Sequence, residues 1–317
     1  MKKGKIAAAV ILSASLTLGT GALMISKNAQ EEAARQPSVT TESRQPAEVP
    51  PEKPETVVKQ ETEKVESHAP AKEQTQTGSD SQAGSGVQAS ANEKMGWYYK
   101  PNKQHKLPEV NARGRALLEK YNGIYHGDTS GKNIYLTFDE GYENGYTSKI
   151  LDALKETNVK AAFFITGDYL RRHPDLVKRM VNEGHIVGNH TDNHPSLPQV
   201  SNATVQKEIQ TLSEEFAKVT GGKMKYLRPP MGEYSERTLK LTHEMGYRNV
   251  FWSVALVDWR PDAGSPEQNK NTVMERLHDG AVVLLHAVNK ANADMLADLI
   301  KECKEKGYQF RSLDEIR

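Results

Sequence analysis

Apolar and polar positions follow two periods along residues 133–311. The short runs "NIYLTF", "KAAFFI", "HIVGNH", "KYLRP", "NVFWSV", "AVVLLH" and "YQFRS" are rich in β-branched, aromatic and aliphatic residues and read as strands. Between them lie longer stretches with apolar residues at helical spacing: "YTSKILDALKET", "DYLRRHPDLVKRMVNEG", "SNATVQKEIQTLSEEFAKVTGG", "YSERTLKLTHEMG", "NKNTVMERLHDG" and "NADMLADLIKECKEKG". Most of these end in glycine, as a helix C-terminus does. Strand and helix in alternation predict parallel strands with crossover helices. Runs as apolar as "AVVLLH" require cover on both faces, so the pattern predicts an α/β fold built as a distorted (β/α)7 TIM-like barrel rather than a flat sheet.

The N-terminal third shows neither period. Lys2, Lys3 and Lys5 precede an apolar stretch from Ile6 to Ile25, which reads as a signal peptide or an N-terminal membrane anchor over residues 1–28. Residues 29–95 are dominated by Glu, Gln, Pro, Ser, Thr and Lys and carry too little apolar surface to offset the entropy of ordering, so they read as a disordered linker. Residues 96–130, beginning "GWYYKPNKQHKLPEV", hold no strand–helix unit and are expected to pack on the barrel as an N-terminal extension. The barrel itself is assigned to 131–317. Either reading of the leader places the domain outside the cytosol, membrane-anchored or secreted, with the linker giving it reach.

Charge narrows the function classes. The net charge is +1, with basic and acidic residues mixed along the chain, and offers no argument for nucleic acid. A single cysteine, Cys303, excludes an internal disulfide framework and a thiolate metal cluster, and its helical context makes it a small half-buried residue.

Barrel enzymes place their chemistry at the C-terminal ends of the strands. Asp139 and Glu140 end the first run, His190 and His194 follow the third, and Arg228 ends the fourth. Asp258 and Trp259 follow the fifth, and His286 ends the sixth. Taken singly, each has an ordinary explanation: an Asp after a strand often caps the next helix, and a histidine after an apolar run can be a satisfied core residue. Together they form a constellation that points to metal-assisted hydrolysis. His190 and His194, spaced i, i+4 on a helical turn, can share one ion.

The motifs carrying these residues resemble those of the polysaccharide deacetylases, the NodB-homology or carbohydrate esterase family 4 domain. "TFDEG" (137–141) resembles that family's TFDDG, "HTDNH" (190–194) its H-S/T-x-x-H, and "RPPMG" (228–232) its R-x-P-Y, while "VDW" (257–259) and "LLH" (284–286) resemble the last two motifs. The wording is most similar to the muramic δ-lactam group of endospore-forming bacteria, which deacetylate N-acetylmuramic acid in peptidoglycan and so link the chain to sporulation. The resemblance implies Asp139 as general base paired with Arg228, and His286 as general acid oriented by Asp258. It implies one divalent ion on His190, His194 and Glu140, with zinc first and manganese, cobalt or nickel also suited to the donors. The backbone N–H of Met231 would stabilise the oxyanion, and Trp259 and Leu284 would wall the acetyl group. The expected partners are peptidoglycan glycan strands and, through the leader, the membrane, with the protein itself a monomer. Glu140 stands where the family has aspartate, Met231 where it has tyrosine, and Ser253 and Ala255 where many members carry acids, which predicts a thinner network around His286. The other readings are an N-acetylglucosamine deacetylase on peptidoglycan or chitin-like chains, an O-acetyl-xylan esterase, and a wall-binding module without catalysis.

Overall fold

The computed structural model describes residues 91–260 and 262–317; the expected leader and nearly all of the expected linker lie outside the described residues. Among the described residues no helix is long and apolar enough to cross a membrane.

The chain enters through short strands β1 (Met95–Gly96), β2 (Tyr99–Lys100) and β3 (Glu109–Val110) and helix α1 (Ala112–Lys120). Then come β4 (Asn133–Glu140), α2 (Thr147–Glu156), β5 (Ala162–Ile165), α3 (Gly167–Arg172), α4 (Pro174–Asn182) and β6 (Ile186–Asn189). They are followed by α5 (Asn202–Thr220), β7 (Tyr226–Leu227), β8 (Glu233–Tyr234), α6 (Glu236–Glu244), β9 (Arg248–Asn249) and β10 (Val254–Ala255). The chain ends with α7 (Pro266–Arg276), β11 (Ala281–His286), α8 (Lys290–Glu305) and β12 (Gln309–Phe310). The main sheet is parallel, in the order β10-β11-β4-β5-β6-β7-β9, with β12 pairing the start of β4. The expected alternation of strand and helix is therefore present. It forms a curled parallel half-barrel rather than a closed barrel.

The opening lies inside one predicted strand. "NVFWSV" (249–254) does not run straight: its ends belong to β9 and β10, at opposite edges of the sheet. Between them the backbone changes partners. Val250 N–H donates to Leu227 O, Phe251 N–H to Ile124 O and Ser253 N–H to Val282 O. The seam is crossed by the N-terminal extension, where Ile124 bridges to Val250 and His126 to Ala281. Above that bridge, Trp97, Tyr121, Tyr125, Tyr234 and Phe251 form a separate aromatic core. Trp97 Nε1–H donates to Trp252 O at 2.8 Å, and the Tyr99 hydroxyl meets both the N–H and the C=O of Ala255. The extension thus supplies hydrogen bonds and apolar cover that the missing strand pairing leaves open.

Helix boundaries follow local chemistry. Pro174 splits the predicted helix "DYLRRHPDLVKRMVNEG" into α3 and α4, because it cannot donate within a continuous helix. Ser265 caps α7 through a capping box, with Pro266 at the first position, so this helix starts before the expected "NKNTVMERL". Gly221 ends α5 in the left-handed region at φ 72°. Cys303 is buried rather than half-buried, and burial pushes its thiol up to about 12.

Candidate active site

Strand alternation decides which side chains enter the half-barrel. Along β4, Ile134, Leu136 and Phe138 pack outward in the core shared with the helices, while Tyr135 lies in the interior cluster. Thr137 and Asp139 share that inner face. β11 runs beside β4 in register, with Leu284 opposite Thr137 and His286 opposite Asp139. The expected base and acid therefore arise from adjacent strands on one face.

Arg228, the first residue past β7, turns back under Asp139 and is fully buried. Its guanidinium donates to Asp139 Oδ1 at 2.6 Å, Thr137 Oγ1 at 2.9 Å and Val250 O at 3.1 Å, and stacks 4.2 Å over the Phe164 ring. Burial pushes the Asp139 carboxyl up, but Arg228, with His190 and His286, outweighs that effect and the net direction is down. Asp139 is thus held ionised in one orientation, with Oδ2 free of the arginine and 3.7 Å from His190 Nε2.

His190 and His194 do meet, though not on a helical turn. The segment after β6 is irregular, with Thr191 and His194 at φ 68° and 57°, and Thr191 Oγ1 accepts from His194 N–H. The two Nε2 atoms lie 3.1 Å apart. His190 Nδ1–H donates to Arg228 O at 2.8 Å, which leaves Nε2 as a lone pair. Burial holds His190 down at about 4 and also lowers His194, so both imidazoles are neutral, as ligands must be. Two nitrogens on one tetrahedral ion with bonds of about 2.0–2.1 Å stand roughly 3.3 Å apart, so this pair fits a divalent cation. Among the described residues no group of three or more His, Cys, Asp or Glu closes around one point.

Glu140 is not brought to this pair. One residue beyond Asp139, it faces the opposite side of β4, is fully buried, and reaches Thr147 Oγ1 at 3.5 Å with its Oε1 unpartnered. Burial, then the nearby charges of Glu143 and Asp139, push its carboxyl well above the ordinary range. The expected ligand role fails on strand geometry rather than on the extra methylene.

His286 Nδ1–H donates to Asp258 Oδ1 at 2.7 Å, and its backbone N–H donates to Oδ2 at 2.9 Å. Burial lowers the imidazole's proton affinity, but the Asp258 hydrogen bond and charge, with Asp139, raise it further, and the net direction is up. The network behind His286 is carried by amides rather than by Ser253 or Ala255. Asn292 donates to Asp258 Oδ2 and to His286 O, and Asn269 donates to Asn292 Oδ1. Ser253 is elsewhere, with His278 Nε2 at 2.9 Å. Sequence reading missed Thr137 and Asn292: an apolar-run threonine and an asparagine in the first turn of a helix carry no signal until the fold sets them against Arg228 and Asp258.

Asp139, His190, His194 and His286 open into one cavity of about 760 Å³, walled by Leu284, Trp252 and Trp259. Trp259 is 51% exposed, with its ring centroid 5.4 Å from that of His286. Met231 also lines the cavity, its backbone held at φ 58° just after the two prolines. A carboxylate and an imidazolium facing one space beside a two-nitrogen cation site can activate water on one side of a carbonyl and protonate a leaving group on the other.

Residues 126–250 match the polysaccharide deacetylase family. The peptidoglycan-N-acetylmuramic acid deacetylase PdaA of Bacillus subtilis is 44% identical over 238 residues, covering 74% of this chain and 90% of that protein. An uncharacterised protein of Geobacillus stearothermophilus is 48% identical over 230 residues, covering 72% of this chain and 87% of its own length. The solved structure of B. subtilis PdaA, a family 4 carbohydrate esterase, is similar with a TM-score of 0.70 at 44% identity, over 71% of this chain and 97% of that one.

Proposed function

The chain belongs to the polysaccharide deacetylase family, carbohydrate esterase family 4, hydrolases acting on carbon–nitrogen bonds, and within it we propose that this protein removes the N-acetyl group of N-acetylmuramic acid in peptidoglycan. The observation that carries amide hydrolysis is the facing of two pairs, Asp139 with Arg228 and His286 with Asp258, across one cavity. The muramic assignment draws its support from the similarity to PdaA.

The acetamide enters with its methyl against Leu284 and Trp259. Asp139 Oδ2 takes a proton from water as its oxygen attacks the acetyl carbon, while Oδ1 stays on Arg228. A cation on His190 Nε2 and His194 Nε2 would supply Lewis-acid polarisation of the carbonyl and of the water. The Met231 backbone N–H serves the oxyanion. His286, with Nδ1–H engaged by Asp258, delivers the Nε2 proton to the departing nitrogen. The products are acetate and a free amine, which is then placed to close on the lactyl carboxyl as a lactam. The leader and linker read from the sequence fit a monomer that works at the cell wall, attached to the membrane or released.

The test is mass spectrometry of muropeptides from peptidoglycan treated with the protein, with and without prior amidase digestion and with a chelator. Loss of one acetyl from muramic residues, abolished by Asp139→Asn, is the expected result. Loss from glucosamine residues alone would replace the muramic reading with the glucosamine one.

A further inference from the structure

The catalytic cavity does not end at the acid and base. Beyond Tyr142 and Trp259 lies a second pocket of about 470 Å³, which shares Tyr142, Trp259 and Val288 with the first. Both volumes fall in the range of small-molecule sites. The shared residues make the two pockets neighbours, with a half-exposed tryptophan and a half-exposed tyrosine at the divide.

Their charges differ. In the catalytic compartment Arg171 Nη1 is committed to Asp192 at 2.7 Å and Glu215 at 2.9 Å. Arg228 is sealed beneath Asp139, and Met231 brings only a thioether. The charged residues lining the second compartment are Arg260, Lys290 and Asp294, two cations against one carboxylate. Arg260 pairs with Asp262, a neighbour outside the pocket lining, and the two side chains are 61% and 73% exposed, so the pair is weak. Lys290 shares the Asp294 carboxylate with Lys149, two ammonium groups on one anion, which leaves a net positive charge there. Asn289 is already engaged with the carbonyls of Asp258 and Ala263 and holds this wall to the catalytic loop.

A muramic residue differs from a glucosamine residue by one group, a lactyl ether on the carbon beside the one carrying the acetamide. That group ends in a carboxylate once its stem peptide is removed, and in an amide before. With the acetamide at Asp139, a neighbouring anion needs a cationic compartment within one sugar's reach. We propose that the second pocket holds the free lactyl carboxylate, with Arg260 and Lys290 as specificity-determining residues. The inference rests on the muramic reading above and assigns its selectivity to residues away from the acid, base and histidine pair.

The test uses the full protein and its Arg260→Ala, Lys290→Ala and double variants on peptidoglycan strands with stems removed, with N-acetylmuramic acid and N-acetylglucosamine as competing probes. The expected result is a rise of about tenfold in KM for the stem-free strands in the double variant, with kcat unchanged, as for loss of a charge-assisted hydrogen bond. The inhibition constant of N-acetylmuramic acid rises by the same factor while that of N-acetylglucosamine stays put, and Arg260→Lys with Lys290→Arg restores both values. Unchanged constants, or an equal loss for both probes, would overturn the proposal while leaving muramic activity intact. A wild-type protein that deacetylates only glucosamine residues, or nothing, overturns the muramic reading and this proposal together, before any variant is made.

Discussion

Asp258 is fully buried, and the proton on His286 depends on it. The proposed hydrolysis requires Asp139 ionised, which its lowered pKa favours, and His286 protonated, which its raised pKa favours. Activity therefore falls as pH rises through the raised His286 value. Asp258→Asn removes the charge that raises it and leaves the burial that lowers it, so the alkaline limb of kcat/KM against pH moves to lower pH, with kcat down by about a hundredfold or more. A limb that stays in place would reduce Asp258 to a purely steric role. Glu140 gives a second prediction. Its folded-state pKa lies above its unfolded value, so between the two the folded protein holds a proton that the unfolded chain has released, and stability falls as pH rises. Glu140→Gln removes this slope: its melting temperature exceeds that of the wild type at neutral pH and matches it below about pH 4. Because Glu140 faces away from the histidine pair, calorimetric titration of a divalent ion into Glu140→Gln should give the wild-type affinity, whereas His194→Ala abolishes binding.

At the scale of the element, register carries function through packing. Gly188 on β6 leaves room for Phe164, since a Cβ there would sit 2.6 Å from that ring. Phe164 in turn supports the Arg228 guanidinium that holds Asp139. Gly188→Ala should therefore cost about 1–3 kcal/mol in a urea titration and also lower kcat, whereas an overpacked site remote from Arg228 would lower stability alone. The periodicity of the chain made the strands and most helices legible, because an element buried on one face must repeat its apolar residues at its own period. The loop carrying His190 and His194 was legible only as a spacing. Its positive-φ conformation at Thr191 and His194 is held by bonds to other elements, from Gly167 N–H to Thr191 O and from Asp192 and Asn193 N–H to Glu208.

At the largest scale, the described domain is organised by the seam that the sheet leaves open between β9 and β10. The segment around Trp97 and Ile124 fills it, so the extension is part of the barrel's hydrogen bonding and core. Trp97→Ala removes an aromatic that is 8% exposed together with a hydrogen bond to Trp252 O. It should cost about 3–5 kcal/mol by thermal or urea unfolding. Since Trp252 lines the catalytic cavity, KM should rise in that variant under conditions where it remains folded.

Local chemistry along the chain determined the alternation of strand and helix, the glycine and proline boundaries, and the identity of the residues at the strand ends, since each follows from a residue's own shape, charge or period. Tertiary structure alone decided that Asp139 enters the cavity while Glu140 leaves it, that "NVFWSV" divides across the seam, and that Asn292 braces Asp258. Each of these depends on which surface a side chain meets once distant segments pack, and one residue's shift along a strand reverses that surface.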